Sequence, residues 1–162
     1  MKGKLKEALS NIDMMYNDLV EIANKIVIIY TKDIDDLVSN AYNNVNNLSN
    51  EDIRQLMLKL SLKSYSFGDT KEKSSLKSKC AETIKKEAYA IKFNEIDGTV
   101  AYKENTATIE ISDEIVSNAI YDLVANLFRT RLDEIHRVVD SLKSVLVSRM
   151  QEAKLSSMGV EE

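Results

Sequence analysis

Apolar residues recur along this chain at alternating spacings of four and three, with charged or polar positions between them. That rhythm predicts helices almost from end to end. It is clearest from Ser112 to Ser157, a stretch with no glycine or proline that opens on a capping serine and an acidic first turn, Asp113 and Glu114. A helix over this stretch spans roughly 65 Å at about 1.5 Å per residue, so it must pack along its length on something else. Phe128, Leu132, Ile135, Val139, Leu142 and Leu146 form a coiled-coil seam along it, flanked by Val124, Val138 and Val145, and are read as an oligomerisation surface.

The N-terminal region repeats the pattern. Leu5, Leu9, Ile12, Tyr16, Leu19, Ala23, Ile26 and Tyr30 follow the four–three spacing, and Ala8, Met15, Ile22 and Ile29 lie beside them. The resulting broad apolar face suits a bundle with several neighbours. After Tyr30 the register breaks, which predicts a new helix from Thr31 carrying Ile34, Leu37, Val38, Ala41 and Val45. The asparagine-rich run Asn40 to Asn50 reads as a loop or frayed end, because asparagine side chains compete for the helix backbone. The N-terminal and C-terminal stripes fit an antiparallel pair within one chain, leaving part of the longer helix for a second subunit.

Ser49 and Asp52 form a capping box that starts the next helix. Its face is Ile53, Leu56, Met57 and Leu60, and it is expected to end near Gly68. Asp69 and Glu72 suggest another capping box, and a helix from about Thr70 to Asn94 with Leu76, Cys80, Ile84, Ala88 and Ile91 inward. Asp97-Gly98 is the clearest turn. Beyond it, residues 99–111 alternate with period two and are rich in β-branched residues, which suits a short β-hairpin or an extended linker. The expected fold is thus mainly α: an elongated helical bundle with long N- and C-terminal coiled-coil-like helices and a short β-hairpin near 99–111. The whole is read as one domain: N-terminal helices over 4–47, a central helical pair over 50–94, the hairpin or arm over 99–111, and the long helix over 113–157.

Composition narrows the chemistry. The chain has no proline or tryptophan, four glycines and 30% charged residues, which favours helices over a turn-rich β fold. Cys80 is the only cysteine and His136 the only histidine, so a thiolate cluster or zinc site is not expected. Cys80 reads as a buried, inert thiol and His136 as a partly exposed helical histidine. Asp33, Asp35 and Asp36 sit where helix-start acids belong, so no metal is assigned to them. No nucleotide-binding loop, nucleophile elbow or metalloprotease motif is present, and no catalytic residue or cofactor is expected. No apolar run is long enough to cross a bilayer and no leader segment is apparent, so a cytoplasmic protein is expected.

Charge is unevenly distributed. The formal net charge is −4, yet residues 63–92 carry a net +4 between two acidic arms. Lys71, Lys73, Lys77, Lys79, Lys85, Lys86 and Lys92 load one predicted helix, with Tyr89 and Phe93 near its end. Cations along a surface neutralise phosphates, and aromatic faces stack bases, which is the chemistry of single-stranded nucleic-acid binding. The competing reading is a solvated face that answers the acidic arms. Oligomerisation would align several such faces and combine weak contacts.

The order of features over roughly residues 65–160 is similar to phage recombination mediators of the UvsY type. A lysine-rich helix ending in aromatics precedes a glycine turn and the stretch Thr99-Val100-Ala101-Tyr102-Lys103-Glu104. A long helix follows, from Tyr121-Asp122-Leu123-Val124 through Arg131 and Leu132 to Arg149. The resemblance implies a small, helical, non-enzymatic homo-oligomer, phage or prophage encoded, that binds single-stranded DNA and assists a recombinase in displacing single-strand-binding protein. It would make the basic helix the DNA surface and the C-terminal helix the assembly element. The first 60 residues have no counterpart in it, and Arg129, Arg131 and Arg137 either contact DNA or pair with Asp133, Glu134 and Asp140. The alternative is a helical adaptor or inhibitor, such as an anti-defence factor or assembly chaperone, that binds a protein and not DNA.

Overall fold

The computed structural model describes the backbone of residues 2–158 and the side chains of Ser10 and residues 13–157; Leu5, Ala8, Leu9 and Ile12 of the first apolar stripe lie outside these described side chains. Four helices account for almost all of it: α1 (Lys2–Asn44), α2 (Asn50–Glu95), α3 (Val100–Glu110) and α4 (Ser112–Met158), with a short 3-10 turn, Val45–Asn47, after α1. Among the described residues no helix is long and apolar enough to cross a membrane.

The expected break after Tyr30 does not occur; α1 is one helix. Its buried line runs Ala23, Val27, Thr31, Ile34, Val38 and Ala41. The two successive steps of four are a stutter, which moves the apolar stripe around a helix without ending it. Nor does a helix end at Gly68, so α2 is one helix and not a pair. No proline stops it, and Gly68 within a helix costs only about 1 kcal/mol relative to alanine. Its φ is not in the left-handed range that a C′ glycine adopts, and buried Phe67 holds the helix beside it.

Continuity sets the phase of α2. Ile53, Leu60, Phe67, Ser74 and Ala81 are buried at a strict heptad spacing, so the phase imposed by the large residues carries through to the small ones. This overturns the expected inward face of the basic segment. Leu76, Ile84 and Ile91 are 61%, 56% and 56% exposed, Cys80 is exposed, and only Ala88 is half-buried.

The expected hairpin at 99–111 is the helix α3, entered at Gly98, whose φ of 138° makes the turn. Thr99 caps it, accepting a hydrogen bond from the Tyr102 N–H. Ala107 and Ile111, four apart, are buried, and that tertiary burial outweighs the β-preference of the threonines and isoleucines.

The chain divides into two compact units, Met1–Ile29 with Thr70–Phe128, and Tyr30–Asp69 with Arg129–Glu162. In the second unit α1 and α2 are antiparallel across the 3-10 turn, and Lys63 bonds Asp33 at 3.0 Å. The sequence suggested that α1 and α4 pair antiparallel; here they run parallel. Arg131 lies 3.7 Å from Asp35, Ala41 and Val45 line one small cavity with Val138, Leu142 and Val145, and Arg149 reaches the Val45 carbonyl at 2.9 Å. The antiparallel place is already taken by α2. Ile53, Leu60, Ile135 and Thr31 are the largest fully buried side chains.

Arg149 closes this unit at its turn. Its guanidinium also donates to the Leu48 carbonyl at 2.7 Å, giving fixed donors to carbonyls of the 3-10 turn and of the residue that caps it. The capping box at the start of α2 is formed as expected. The Ser49 hydroxyl and N–H donate to Asp52 Oδ2 at 2.6 and 3.1 Å, and the Asp52 N–H donates back to Ser49 Oγ at 3.1 Å.

Candidate functional site

The basic segment of α2 lies in the first unit, where it runs antiparallel to the opening turns of α4. Ser78 donates to the Asp122 carboxylate, and Lys92 meets Glu110 at 3.5 Å. At about 100° per residue, the inward line of Ser74, Ala81 and Ala88 separates two flanks. One carries Lys71, Lys85, Lys86, Tyr89 and Phe93, with Lys79 at its outer edge. The other carries Lys73 and Lys77 beside Leu76, Cys80, Ile84 and Ile91. Helical spacing alone already puts Lys71, Lys79, Lys85, Lys86 and Lys92 on one broad face, with Lys73 and Lys77 beside the line of Leu76, Cys80, Ile84 and Ile91; what the structure changes is that this line is exposed.

The first flank has the geometry of a binding groove. Lys85, Lys86 and Tyr89 line an open groove of about 370 Å³ together with Thr108, Ile111 and Ile115. The Tyr89 and Phe93 rings stack with centroids 6.0 Å apart and planes 28° apart. Lys103 Nζ lies 5.7 Å from the Phe93 centroid, within reach of a cation–π contact. The groove thus combines the cations Lys85 and Lys86 and the Tyr89 ring with an apolar floor of Ile111 and Ile115, and Phe93 and Lys103 continue the stack beside it.

Electrostatics sort the lysines further. Lys92 hydrogen-bonds Glu95 at 3.1 Å and also faces Glu110. These two carboxylates, Glu95 first, raise its pKa above the ordinary lysine value. It is committed within the protein. Lys86 pairs with Glu82 at 2.6 Å, and that hydrogen bond holds the Glu82 carboxyl below its ordinary range. Glu82 therefore stays ionised and competes with any anion for Lys86. Among the described residues, Lys79 and Lys85 have no ion-pair partner.

The sequence missed Lys103 and Thr108 because it placed them on a strand or linker. A helical reading of 99–111, with Lys103, Ala107 and Ile111 four apart, would have found them. The arginines left open resolve in part. Arg131 pairs with Glu134 at 2.8 Å and with Asp35, while Arg129 and Arg137 are exposed. The acids Asp33 and Asp35 serve separate partners, Lys63 for the first, Thr31 and Arg131 for the second. Among the described residues no group of three or more potential ligands is placed to hold a metal. His136 is exposed on α4.

The seam read as an oligomerisation surface is occupied within the chain. Phe128, Ile135, Leu142 and Leu146 are buried and Leu132 and Val139 half-buried, so this stripe offers little free surface to a second copy. Comparison with models of known protein families, with curated proteins and with solved structures gave no match to this chain.

Proposed function

We propose that this protein is a non-enzymatic, oligomeric accessory factor of recombination that binds single-stranded DNA along the groove between α2 and α3. The observation that carries the reading is the convergence of Lys85, Lys86 and Lys103 on the Tyr89–Phe93 pair. Lysines neutralise the phosphates of a strand, and aromatic rings supply faces for its bases whatever their sequence. A groove open along its length suits a flexible strand better than a compact small molecule. Assembly of several chains would add such grooves along one strand, as the likeness to recombination mediators implies.

The test is anisotropy of a labelled oligothymidine titrated at increasing salt. Binding should weaken steeply, with about 0.7 of logarithmic slope for each phosphate neutralised. Replacing Lys79, Lys85, Lys86 and Lys103 with alanine should remove most of that slope, whereas Lys73→Ala with Lys77→Ala should leave it nearly intact. Glu82→Gln releases Lys86 and should tighten binding. Absence of binding at low salt would sink the reading.

A protein-binding adaptor indifferent to DNA is the second reading. One observation favours it, the exposed apolar residues on the other flank of α2. Capture of a protein partner that survives the four lysine substitutions, without DNA binding, would establish it instead.

A further inference from the structure

The flank of α2 opposite the groove carries a set of exposed residues that no ion pair or hydrogen bond among the described residues engages. Leu76, Ile84 and Ile91 are each more than half exposed, and exposed Cys80 lies between the first two. Contiguous exposed apolar side chains rimmed by polar ones are the usual mark of an interaction surface. The polar residues of the same row say which partner fits. Lys73 stands at its N-terminal end, Lys77 between Leu76 and Cys80, and Glu87 near its C-terminal end, and among the described residues none of the three has an ion-pair partner. One end of the row is thus positive and the other negative.

We infer that this row is the interface with a second copy of the chain, with the two α2 helices antiparallel about a twofold axis at Cys80. A twofold interface pairs each residue with its mirror in the sequence of the row. With Cys80 opposite the partner's Cys80, Leu76 packs on the partner's Ile84, and Lys73 meets the partner's Glu87. Each of these two contacts occurs twice. Ile91 falls opposite the partner's Asp69, one turn beyond the Lys73–Glu87 contact, and so lies outside the matched set. A parallel pairing would set Lys73 against Lys73 and Glu87 against Glu87, so the charges select the antiparallel one. The groove with Lys85, Lys86 and Tyr89 lies on the other flank and stays open in the dimer. The inference gives the oligomeric half of the reading above a surface and stands apart from its DNA half.

The experiment uses the full chain without DNA. Light scattering at tens of micromolar should give twice the chain mass of 18.3 kDa, or a multiple of that. A short bifunctional maleimide should link two chains through Cys80, the only cysteine. Leu76→Glu with Ile84→Glu, both at exposed positions and so compatible with the fold, should abolish both signals while circular dichroism stays unchanged. Lys73→Glu alone should reduce the cross-linked fraction several-fold, and adding Glu87→Lys to it should restore the yield. A mass of one chain at these concentrations overturns the inference, as does a cross-link that the Leu76 and Ile84 substitutions leave undiminished. Because no DNA is present, a failure here leaves the strand-binding result standing, and the reverse also holds.

Discussion

Ile53, Leu60 and Phe67 in one half of α2, and Ser74, Ala81 and Ala88 in the other, occupy one heptad position of one unbroken helix. The first three fill the unit formed with Tyr30–Asn44 and the later turns of α4. The second three face inward in the other unit, where Val27, Ile111, Val124 and Phe128 supply the large buried side chains beside Ala23, Ala107 and Ala125. Satisfaction of polar groups differs in the same sense. Buried Thr31 donates to Asp35 at 3.1 Å, whereas Ser74 Oγ and Asn118 Oδ1 are buried without a partner. Both units leave apolar side chains at the surface, Leu58, Leu62 and Tyr65 among them in the unit with the larger core. What differs is the inside. One half of α2 uses its large residues to close a core, and the other turns them outward and keeps only small ones within. The second half also carries the basic groove.

The most damaging way to probe this contrast is in the larger core. Leu60→Ala or Ile135→Ala should cost about 2–5 kcal/mol, measured by urea denaturation in dilute solution. Leu76→Ala, an equally large truncation in the other half of α2, should change stability by less than about 0.5 kcal/mol there. Comparable losses at Leu60 and Leu76 would remove the distinction. Next in size is Arg149→Ala, which strips charged donors from the Val45 and Leu48 carbonyls and should cost about 1.5–3 kcal/mol. Arg149→Lys should rescue only part of this, because a single ammonium lacks the planar fork.

The smallest effect concerns the cap of α2. Ser49→Ala should cost about 1 kcal/mol. The hydrogen bonds from the Ser49 hydroxyl, and then from its N–H, hold the Asp52 carboxyl below its ordinary value of 3.8. A folded pKa below the unfolded one means that this contribution is fully present above pH 3.8 and is lost as pH falls through the folded value. Urea midpoints followed into acid should show that loss in the natural chain. Asp52→Asn should flatten it, and an unchanged acid slope in that variant would separate the cap from the pH response.

Much of the helical content was legible because its signals are local. Ser112 with Asp113 and Glu114, Ser49 with Asp52, and Asp97 with Gly98 each act within one turn of chain. What could not be read depended on continuity over longer distances. The stripe that reaches Ile26 and Tyr30 looks like a helix end from sequence, but the buried line instead passes through Val27 and Thr31 as a stutter, and Tyr30 is exposed. Gly68 followed by Asp69 and Glu72 looks like a stop and a fresh cap, but Phe67 is buried beside it and the helix continues. That second error reversed the basic segment. A new helix is free to turn Leu76, Ile84 and Ile91 inward, while a continued one inherits the phase of Leu60 and Phe67 and turns them out. The candidate site was half legible. Lys85, Lys86, Tyr89 and Phe93 were identified together, and Lys103 was missed because Thr99, Val100, Thr106 and Thr108 carry a β-preference that burial of Ala107 and Ile111 overrides.

The claim that one flank of α2 with α3 receives a DNA strand is tested most directly by lysine footprinting. The chain is acetylated with and without an oligothymidine and the modified residues are read by mass spectrometry. Lys79, Lys85, Lys86 and Lys103 should become protected when the strand is added, while Lys73 and Lys77 on the opposite flank and Lys32 and Lys59 in the other unit keep their reactivity. Protection spread evenly over all eight lysines, or confined to Lys73 and Lys77, would contradict the account.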